Sequence, residues 1–270
     1  MQKKILLLIV ITSVYLTSCD DLTVENNLSY EEKMVVRSVV SAGKPIELFL
    51  ARTTPPNSAY DTASSYVYNA VVIVSSPTIS DTLKYQGAGK YVSSRMNARN
   101  GEEYTMNILS GEKRAVAETQ VPFTTTFQAG RLLTRIEANG DTSYYIEGVL
   151  TPRPGAVYGV TWSIIDGLTS TVIEDTVLNQ LNREQDKTLL GHLVVRTRTL
   201  PPALVKQYRN SLFIRVHAFD EKFYKFFITQ DANNASTNIF SQSGTALRWN
   251  VSGDAIGMFV GKSDFTVRIP

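Results

Sequence analysis

The stretch EYTMNILSGEKRAVAETQV, residues 103–121, carries the pattern that decides the fold. Residues 103–109 and 115–121 are both rich in apolar and β-branched side chains, and the turn dipeptide Ser110-Gly111 lies between them. Two such runs around a short turn predict a pair of β-strands. Pro122 then ends the second run, because proline cannot donate to a strand ladder.

Similar short runs precede this stretch and are separated by turn residues such as Gly87-Ala88-Gly89 and Asn100-Gly101. None of them has a helical period. The further strands predicted here cover residues 34–40, 46–52, 67–74, 79–85 and 91–93. Their number and spacing predict an immunoglobulin-like or transthyretin-like β-sandwich over residues 30–123.

The β pattern resumes after residue 123, so we expect a second β-rich domain over residues 124–270. Pro201-Pro202 is expected to interrupt it, and polar residues 179–187 are expected to form an exposed loop. The predicted strands cover residues 132–137, 144–150, 157–165, 171–178, 189–199, 212–219, 246–251, 256–260 and 265–269.

One short helix is predicted in this otherwise β-rich second domain. Phe223, Tyr224, Phe226 and Phe227 recur at helical spacing up to about residue 230, and residues 231–234 are expected to end the helix. Four aromatics on barely one turn exceed what a single buried stripe holds. At least one ring should therefore face outward or pack under the final glycine-rich strands. We expect a mixed arrangement, in which part of the set is core and at least one ring faces a partner, and a purely core set is the alternative.

The start of this helix also has a sequence signature. Asp220 is a suitable N-cap residue, and Phe219 with Tyr224 would form the hydrophobic staple. The adjacent carboxylates Asp220 and Glu221 also suggest acid–base chemistry, but a cap explains the first and the helix dipole explains the second.

The amino terminus has the form of a lipoprotein signal. Lys3 and Lys4 precede an apolar run over residues 5–16, and Leu16, Thr17 and Ser18 precede Cys19 in the pattern of a lipobox. The run falls short of the roughly 20 residues that a membrane-spanning helix needs, so cleavage before Cys19 is favoured over a retained anchor. An ordinary secretory signal with a chance cysteine is the alternative. Residues 19–29 would then form a lipidated tether.

Charge and cysteine content narrow the possible functions. The chain has 27 basic and 25 acidic residues, and Lys3 and Lys4 lie in the leader, so the mature chain is neutral. A neutral surface without a basic block argues against nucleic-acid binding. Cys19 is the single cysteine, so its acylation leaves no thiol for a disulfide, a metal or catalysis. The membrane link would be a diacylglycerol on that cysteine, as in a palmitate-bearing lipoprotein.

Catalytic motifs are absent from the sequence. The two histidines, His192 and His217, lie in strand-like apolar segments, where a half-buried strand histidine is favoured over a zinc ligand or a triad member. No nucleophile elbow, phosphate loop or dinucleotide fingerprint occurs. Gly253, Gly257 and Gly261 do not match a phosphate loop, and bends in a β structure explain them. We therefore predict no catalytic residue, no metal and no cofactor.

The order of several short segments resembles a known family, the domain of unknown function numbered 4249, a group of Bacteroidota lipoproteins. The resemblance covers most of the mature chain. The matching segments are Met34-Val35-Val36, Gly43-Lys44-Pro45, Asn69-Ala70-Val71-Val72-Ile73, Gly89-Lys90-Tyr91, Gly101-Glu102-Glu103-Tyr104-Thr105-Met106, Ala117-Glu118-Thr119-Gln120-Val121-Pro122, Phe223-Tyr224-Lys225-Phe226, Asn250-Val251-Ser252-Gly253 and Gly257-Met258-Phe259-Val260-Gly261.

The resemblance implies a location and a partner but no catalytic residue. It implies an outer-membrane lipoprotein that accompanies a TonB-dependent transporter. Asp20 and Asp21 resemble the acidic signal that sends such lipoproteins to the cell surface, and a merely polar tether is the alternative. We therefore expect a surface-anchored binding or accessory protein. A cell-surface hydrolase acting on glycan or peptide, and a structural or adhesive protein, are the rival interpretations.

Three threonines match the acceptor pattern of O-glycosylation in these bacteria, in which an aspartate precedes and an aliphatic residue follows. They are Thr62, Thr82 and Thr176. Composition alone gives about one such match, so three occurrences favour modification.

Overall fold

The computed structural model of the chain describes residues 30–55, 58–59, 61–188, 190–235 and 246–270. Strands dominate these residues, which confirms the predicted all-β class. The strands before residue 123 are β1 (Met34–Ser41), β2 (Pro45–Arg52), β3 (Val71–Ser75), β4 (Ser80–Thr82), β5 (Lys84–Gly87), β6 (Lys90–Asn97), β7 (Glu103–Ser110) and β8 (Lys113–Gln120).

The second half of the chain continues with strands and most of the helical residues. Its strands are β9 (Thr126–Ile136), β10 (Thr142–Thr151), β11 (Ala156–Asp166), β12 (Thr171–Glu174), β13 (Asn182–Arg183), β14 (Leu193–Arg196), β15 (Leu212–Asp220), β16 (Ser252–Gly253) and β17 (Ala255–Arg268). The α-helices described are α1 (Thr62–Ser65), α2 (Pro202–Tyr208) and α3 (Lys222–Ala235), and short 3₁₀ turns cover Glu184–Asp186 and Arg209–Ser211.

The hairpin of β7 and β8 forms from residues 103–121. Met106 pairs with Ala117 and Ile108 with Ala115, and these side chains are buried while their neighbours alternate outward. Gly111 occupies the turn at a φ of 60°, which glycine adopts without strain. The alternation of period two thus places one face of the hairpin in the core.

Two sheets enclose the core of the first half. Strands β5, β6, β2 and β1 lie at one end of a nine-stranded sheet, and β16, β8, β7, β3 and β4 form a five-stranded sheet. One buried cluster draws side chains from both sheets, among them Leu48, Tyr91, Met106 and Ile108. The two sheets therefore pack face to face, and the predicted sandwich is confirmed.

Strand β17 connects the two halves of the chain. It pairs in parallel with β1 on one side and antiparallel with β15 on the other, so the nine-stranded sheet runs in the order β12-β11-β15-β17-β1-β2-β6-β5, with β13 also on β11. A third sheet has the order β14-β10-β9 and shares a second buried cluster with β11 and β15. Residues Glu32–Pro270 form one compact unit. The division at residues 123 and 124 stays a prediction.

Close backbone approaches explain the glycines near the end of the chain. A Cβ on Gly257 would meet the backbone of Val36 on β1, and one on Gly261 would meet the carbonyl of Gln120. Gly257 also has a φ of 130°. These glycines let β17 lie against two neighbouring backbones, and they face carbonyl groups rather than an anion.

Several predicted boundaries in the second half were wrong. Helix α2 begins at Pro202, where an interruption was expected, because proline is favoured in the first turn of a helix. The second half therefore has more helix than the one predicted, and α3 continues past residue 230 to Ala235. The loop at 179–187 contains β13 and buried Leu181, so it is not simply exposed.

Strand predictions near the end of the chain also needed correction. The strand predicted at 246–251 was wrong, since these residues have no strand and the paired segment begins at Ser252. The two strands predicted at 256–260 and 265–269 are one continuous strand, β17. Pairing with β1 and then β15 supports its whole length, which periodicity along the chain does not reveal.

Candidate functional site

Helix α3 follows β15 directly, and Asp220 makes the junction. Asp220 Oδ1 accepts a hydrogen bond from the Lys222 amide at 2.9 Å, as expected of a residue that caps the start of a helix. Phe219 packs against Phe223, with ring centroids 4.6 Å apart. The predicted staple partner, Tyr224, packs against the same buried cluster as Phe219, and its ring also lies 4.3 Å from the Arg183 guanidinium carbon.

The four aromatics of α3 divide into an inner and an outer group. Phe223, Tyr224 and Phe227 pack against a buried cluster that includes Phe219 and Val260. Phe226 instead lies against Trp249, with centroids 5.2 Å apart, and Trp249 is 38% exposed. We call Phe226 and Trp249 the outer aromatic pair. All four side chains are half-buried, and the mixed arrangement and the partner role for these rings stay predictions.

Beside the inner aromatics lies a polar cleft of about 260 Å³, lined by strands β11, β15 and β17 and by residues 174–178. Its polar side chains include Thr161, Glu174, Arg215, His217 and Lys262, and Phe219 also lines it. Phe219 belongs to both the cleft and the aromatic cluster. A substitution in the cleft is therefore expected to affect the packing of Phe219 at the base of α3.

His217 is the central buried group of the cleft. It is 8% exposed on β15, so it is a strand histidine as predicted, more buried than expected. Its Nε2 lies 3.0 Å from the Thr161 hydroxyl, and its Nδ1 is buried with no partner among the described residues. Burial, with the charge of Lys262, lowers the pKa of His217 to about 4. The ring is therefore neutral at pH 7.

Three charged side chains lie next to this histidine. Arg215 Nε donates to Asp264 Oδ2 at 2.7 Å, and Lys262 Nζ lies 3.7 Å from Asp264 Oδ1. Burial would raise the pKa of Asp264, but the Arg215 hydrogen bond and the Lys262 charge lower it overall. Burial lowers the pKa of Lys262. The carboxylate is thus ionised and shared by two cations.

This arrangement is better suited to holding a polar group than to hydrolysis. Thr161 and His217 resemble a nucleophile and its base, but Thr161 is only 4% exposed and the Asp264 carboxylate is bonded to Arg215 rather than His217. A triad needs an orienting acid on the second ring nitrogen and a base with a pKa near the working pH. Within the described parts of the chain, no group of acidic, histidine or cysteine side chains has metal-site geometry.

Sequence reasoning missed Arg215, Lys262 and Asp264 as members of a cluster. Each pair, Arg215 with His217 and Lys262 with Asp264, lies two residues apart on one strand and so shares a face. That spacing of two could have indicated that the members of each pair lie on the same face of a strand. Which strands lie side by side is decided by the pairing of β15 with β17, which joins His217 to Asp264.

The residues of the predicted anchor lie outside the described part of the chain. These are Leu16, Thr17, Ser18, Cys19, Asp20 and Asp21. In the part that is described, no helix combines the length and the apolar character needed to span a membrane.

The three predicted O-glycosylation sites, Thr62, Thr82 and Thr176, are all exposed. The aspartates before them already have structural partners. Asp61 caps α1, the buried Asp81 accepts hydrogen bonds from β6, and Asp175 lies 3.6 Å from Arg198. Use of these sites stays a prediction.

The fold defines an all-β protein in which two packed cores share one sheet. The family model for the domain of unknown function DUF4249 matches residues 20–268, so the chain belongs to that family. A search of curated proteins finds no match.

Proposed function

We propose that this protein is a lipid-anchored outer-membrane lipoprotein that faces the cell exterior and acts as a binding or accessory protein beside a TonB-dependent transporter. The lipobox ending at Cys19 and the acidic pair Asp20-Asp21 support the anchor and its orientation. Family membership supports the class of protein. The proposed partner rests on the resemblance described in the sequence analysis.

The outer aromatic pair is the observation that carries the binding role. Phe226 is half-buried on α3, and Trp249 presents more than a third of its surface to solvent. Aromatic side chains dominate the binding energy of protein interfaces because they bury a large area with few rotatable bonds. The inner aromatics hold α3 on the sheet, so the outer pair is presented on a fixed support.

A binding role is favoured over the rival hydrolase because of the state of the buried polar groups. A histidine with a pKa of about 4 is a weak base at pH 7. Its Thr161 partner is almost fully enclosed, so a substrate carbonyl would have to displace protein before reaching the hydroxyl. Of the clustered charges, Lys262 also lies over the ring of Phe219, with its Nζ 5.8 Å from the ring centroid.

Alanine substitution of the outer pair tests this proposal. We expect Phe226→Ala together with Trp249→Ala to reduce co-purification with the transporter from native outer membranes by about tenfold or more, as for interface hot spots. The midpoint of urea unfolding should change little, because neither ring lies in the main cores. Tyr68→Ala, an exposed aromatic of the first half, is the matched control.

Two results would contradict the proposal. If the double variant is folded and co-purifies like the wild type, the partner site lies elsewhere. If substitutions at the four α3 aromatics all lower stability and none weakens association, the helix is only core. A pull-down with the wild-type chain that recovers no transporter would reject the partner itself.

A further inference from the structure

The three-stranded sheet β14-β10-β9 has one apolar face and one arginine-rich face. Its inner face contributes Ile146, Leu193 and Val195 to the second core. Cross-strand pairing places Glu147 of β10 opposite both Arg131 of β9 and Arg196 of β14, so these three side chains share the outer face. Alternation along the same strands adds Arg135 and Tyr145. Arg198 follows β14 and completes the set that we call the arginine face.

Glu147 holds two of these arginines in fixed positions. Its Oε1 accepts from Arg131 Nη2 at 2.7 Å, and its Oε2 accepts from Arg196 Nε at 2.9 Å. Burial would raise the pKa of Glu147, but the hydrogen bonds from Arg131 and Arg196 lower it overall. The carboxylate is therefore ionised at neutral pH. The Glu147 side chain is only 7% exposed, while the side chains of Arg131 and Arg196 are 69% and 60% exposed.

The other two arginines retain most of their donor capacity. Arg135 Nε lies 3.8 Å from Glu137, and Arg198 Nη1 lies 3.6 Å from the nearly buried Asp175. Both distances exceed that of a hydrogen bond. A guanidinium group has five N–H donors, so each of these side chains can bind a further oxygen. The Asp175 side chain is 8% exposed, whereas the side chains of Arg135 and Arg198 are 68% and 48% exposed, so the cations are the more accessible groups.

The arginine face opens into a cleft of about 490 Å³. Arg135, Arg196 and Arg198 line it together with Tyr145 and Asn179. Each of the three arginines also lies within 4 Å of a carboxylate, but none of those acids is among the described residues that line the cleft. Arginine is suited to phosphate and carboxylate groups because its planar fork donates two parallel hydrogen bonds. Three such forks in one cleft match a ligand with more than one anionic group.

We propose that the arginine face binds an oligoanion that carries two or more phosphate or carboxylate groups. The volume of the cleft suits a small ligand of the size of tripolyphosphate or citrate. The proposal is independent of the partner of the outer aromatic pair. The neutral net charge argued against binding of nucleic acid, which is a large polyanion. A neutral chain can still concentrate cations on one face and bind a small anion there.

Calorimetric titration of the purified full chain with sodium tripolyphosphate tests the proposal. We expect one site per chain and weaker binding as salt rises. Arg135→Gln with Arg198→Gln should weaken binding about hundredfold, since each lost charged hydrogen-bonding group accounts for about tenfold. The exposed Arg114→Gln on β8 removes a cation from another sheet and should leave binding unchanged.

A second substitution has the opposite expected sign. Glu147→Gln keeps the size of the side chain and removes its charge, so Arg196, which lines the cleft, is no longer neutralised and tripolyphosphate should bind more tightly. A merely structural role for Glu147 predicts no such gain. Urea unfolding of each variant checks that it is folded, and the Arg135 and Arg198 variants leave the Glu147 contacts intact.

Vesicles distinguish a free anion from a lipid headgroup. The Cys19→Ser chain, which lacks the predicted acylation site, is tested on phosphatidylglycerol and phosphatidylcholine vesicles. One outcome is that the chain binds phosphatidylglycerol vesicles but not phosphatidylcholine vesicles, and that the variant with Arg135 and Arg198 replaced loses that binding. This pair of results would support a lipid headgroup as the source of the phosphate. Absence of binding to both tripolyphosphate and these vesicles, or binding that the arginine substitutions do not change, would overturn the proposal.

Discussion

Replacement of Asp220 by alanine is predicted to destabilise the protein strongly, because this one carboxylate joins both halves of the chain. Asp220 is 4% exposed at the end of β15. Its Oδ2 accepts from the Thr119 hydroxyl at 2.7 Å and from the Gln120 amide at 2.8 Å, while its Oδ1 accepts from Lys222. Thr119 Oγ1 in turn accepts from the Gly261 amide at 2.6 Å. Strands β8, β15 and β17 and helix α3 therefore meet at this group.

The expected magnitude follows from the donors that the substitution leaves without a partner. A hydrogen bond to a charged group contributes about 1.5–3 kcal/mol, and a buried donor without a partner has a similar cost. Thr119 and Gln120 would each lose such an acceptor, whereas water can replace it at the Lys222 amide. We expect Asp220→Ala to lower the free energy of unfolding by about 3–5 kcal/mol. Asp220→Asn, which keeps one acceptor oxygen, should cost about 1–3 kcal/mol.

Urea unfolding followed by circular dichroism and by tryptophan fluorescence measures this loss. A change of that size is a large part of the roughly 5–15 kcal/mol that stabilises a typical domain. Glu221→Ala is the matched control, since Glu221 is the adjacent carboxylate and is exposed. We expect it to cost less than about 1 kcal/mol through the helix dipole. If Asp220→Ala costs no more than Glu221→Ala, the reasoning is refuted.

Three further predictions concern the lipid anchor, the surface-export signal and the pH dependence of stability. Cys19→Ser should remove the protein from the outer-membrane pellet after a high-salt wash, and a variant that still pellets would contradict the lipid anchor. Replacing Asp20 and Asp21 with alanine should protect the protein from protease added to whole cells. Unchanged cleavage would mean that the pair is not a surface-export signal. His217 has a pKa of about 4 when folded and 6.5 as its ordinary value, so the unfolded state takes up the proton first. Protonation of His217 should therefore lower the free energy of unfolding by about 3 kcal/mol between pH 7 and pH 4. His217→Gln should reduce this pH dependence. If the free energy of unfolding falls equally steeply with pH in the variant and the wild type, His217 is not its source.

Local pattern was sufficient for the strands whose neighbours are close in sequence. The hairpin at Ser110-Gly111 and the capping role of Asp220 followed from turn and cap chemistry, which depends on a few adjacent residues. Helix α2 was missed because Pro202 was interpreted as a breaker, although proline is compatible with a first turn. Strand β17 was divided in two because its length depends on pairing with β1 and β15.

The candidate sites also depend partly on local sequence pattern and partly on long-range contacts. The outer aromatic pair was only half predictable, since Phe226 was identified by helical spacing but its partner Trp249 lies 23 positions later in the chain. The arginine face was not predicted at all. Its cations are spread over β9, β14 and the residues after it, and equal numbers of acids elsewhere make the net charge uninformative.

The sequence by itself determined the all-β class, the alternation of buried and exposed side chains, and the helix that begins after Asp220. These properties depend on the chemistry of neighbouring residues along one segment. Only the tertiary structure decided that β17 joins both halves, that Asp220 reaches Thr119, and that four arginines share one face. Such contacts depend on which strands lie side by side, and cross-strand pairing is a long-range choice that the burial of the whole core makes.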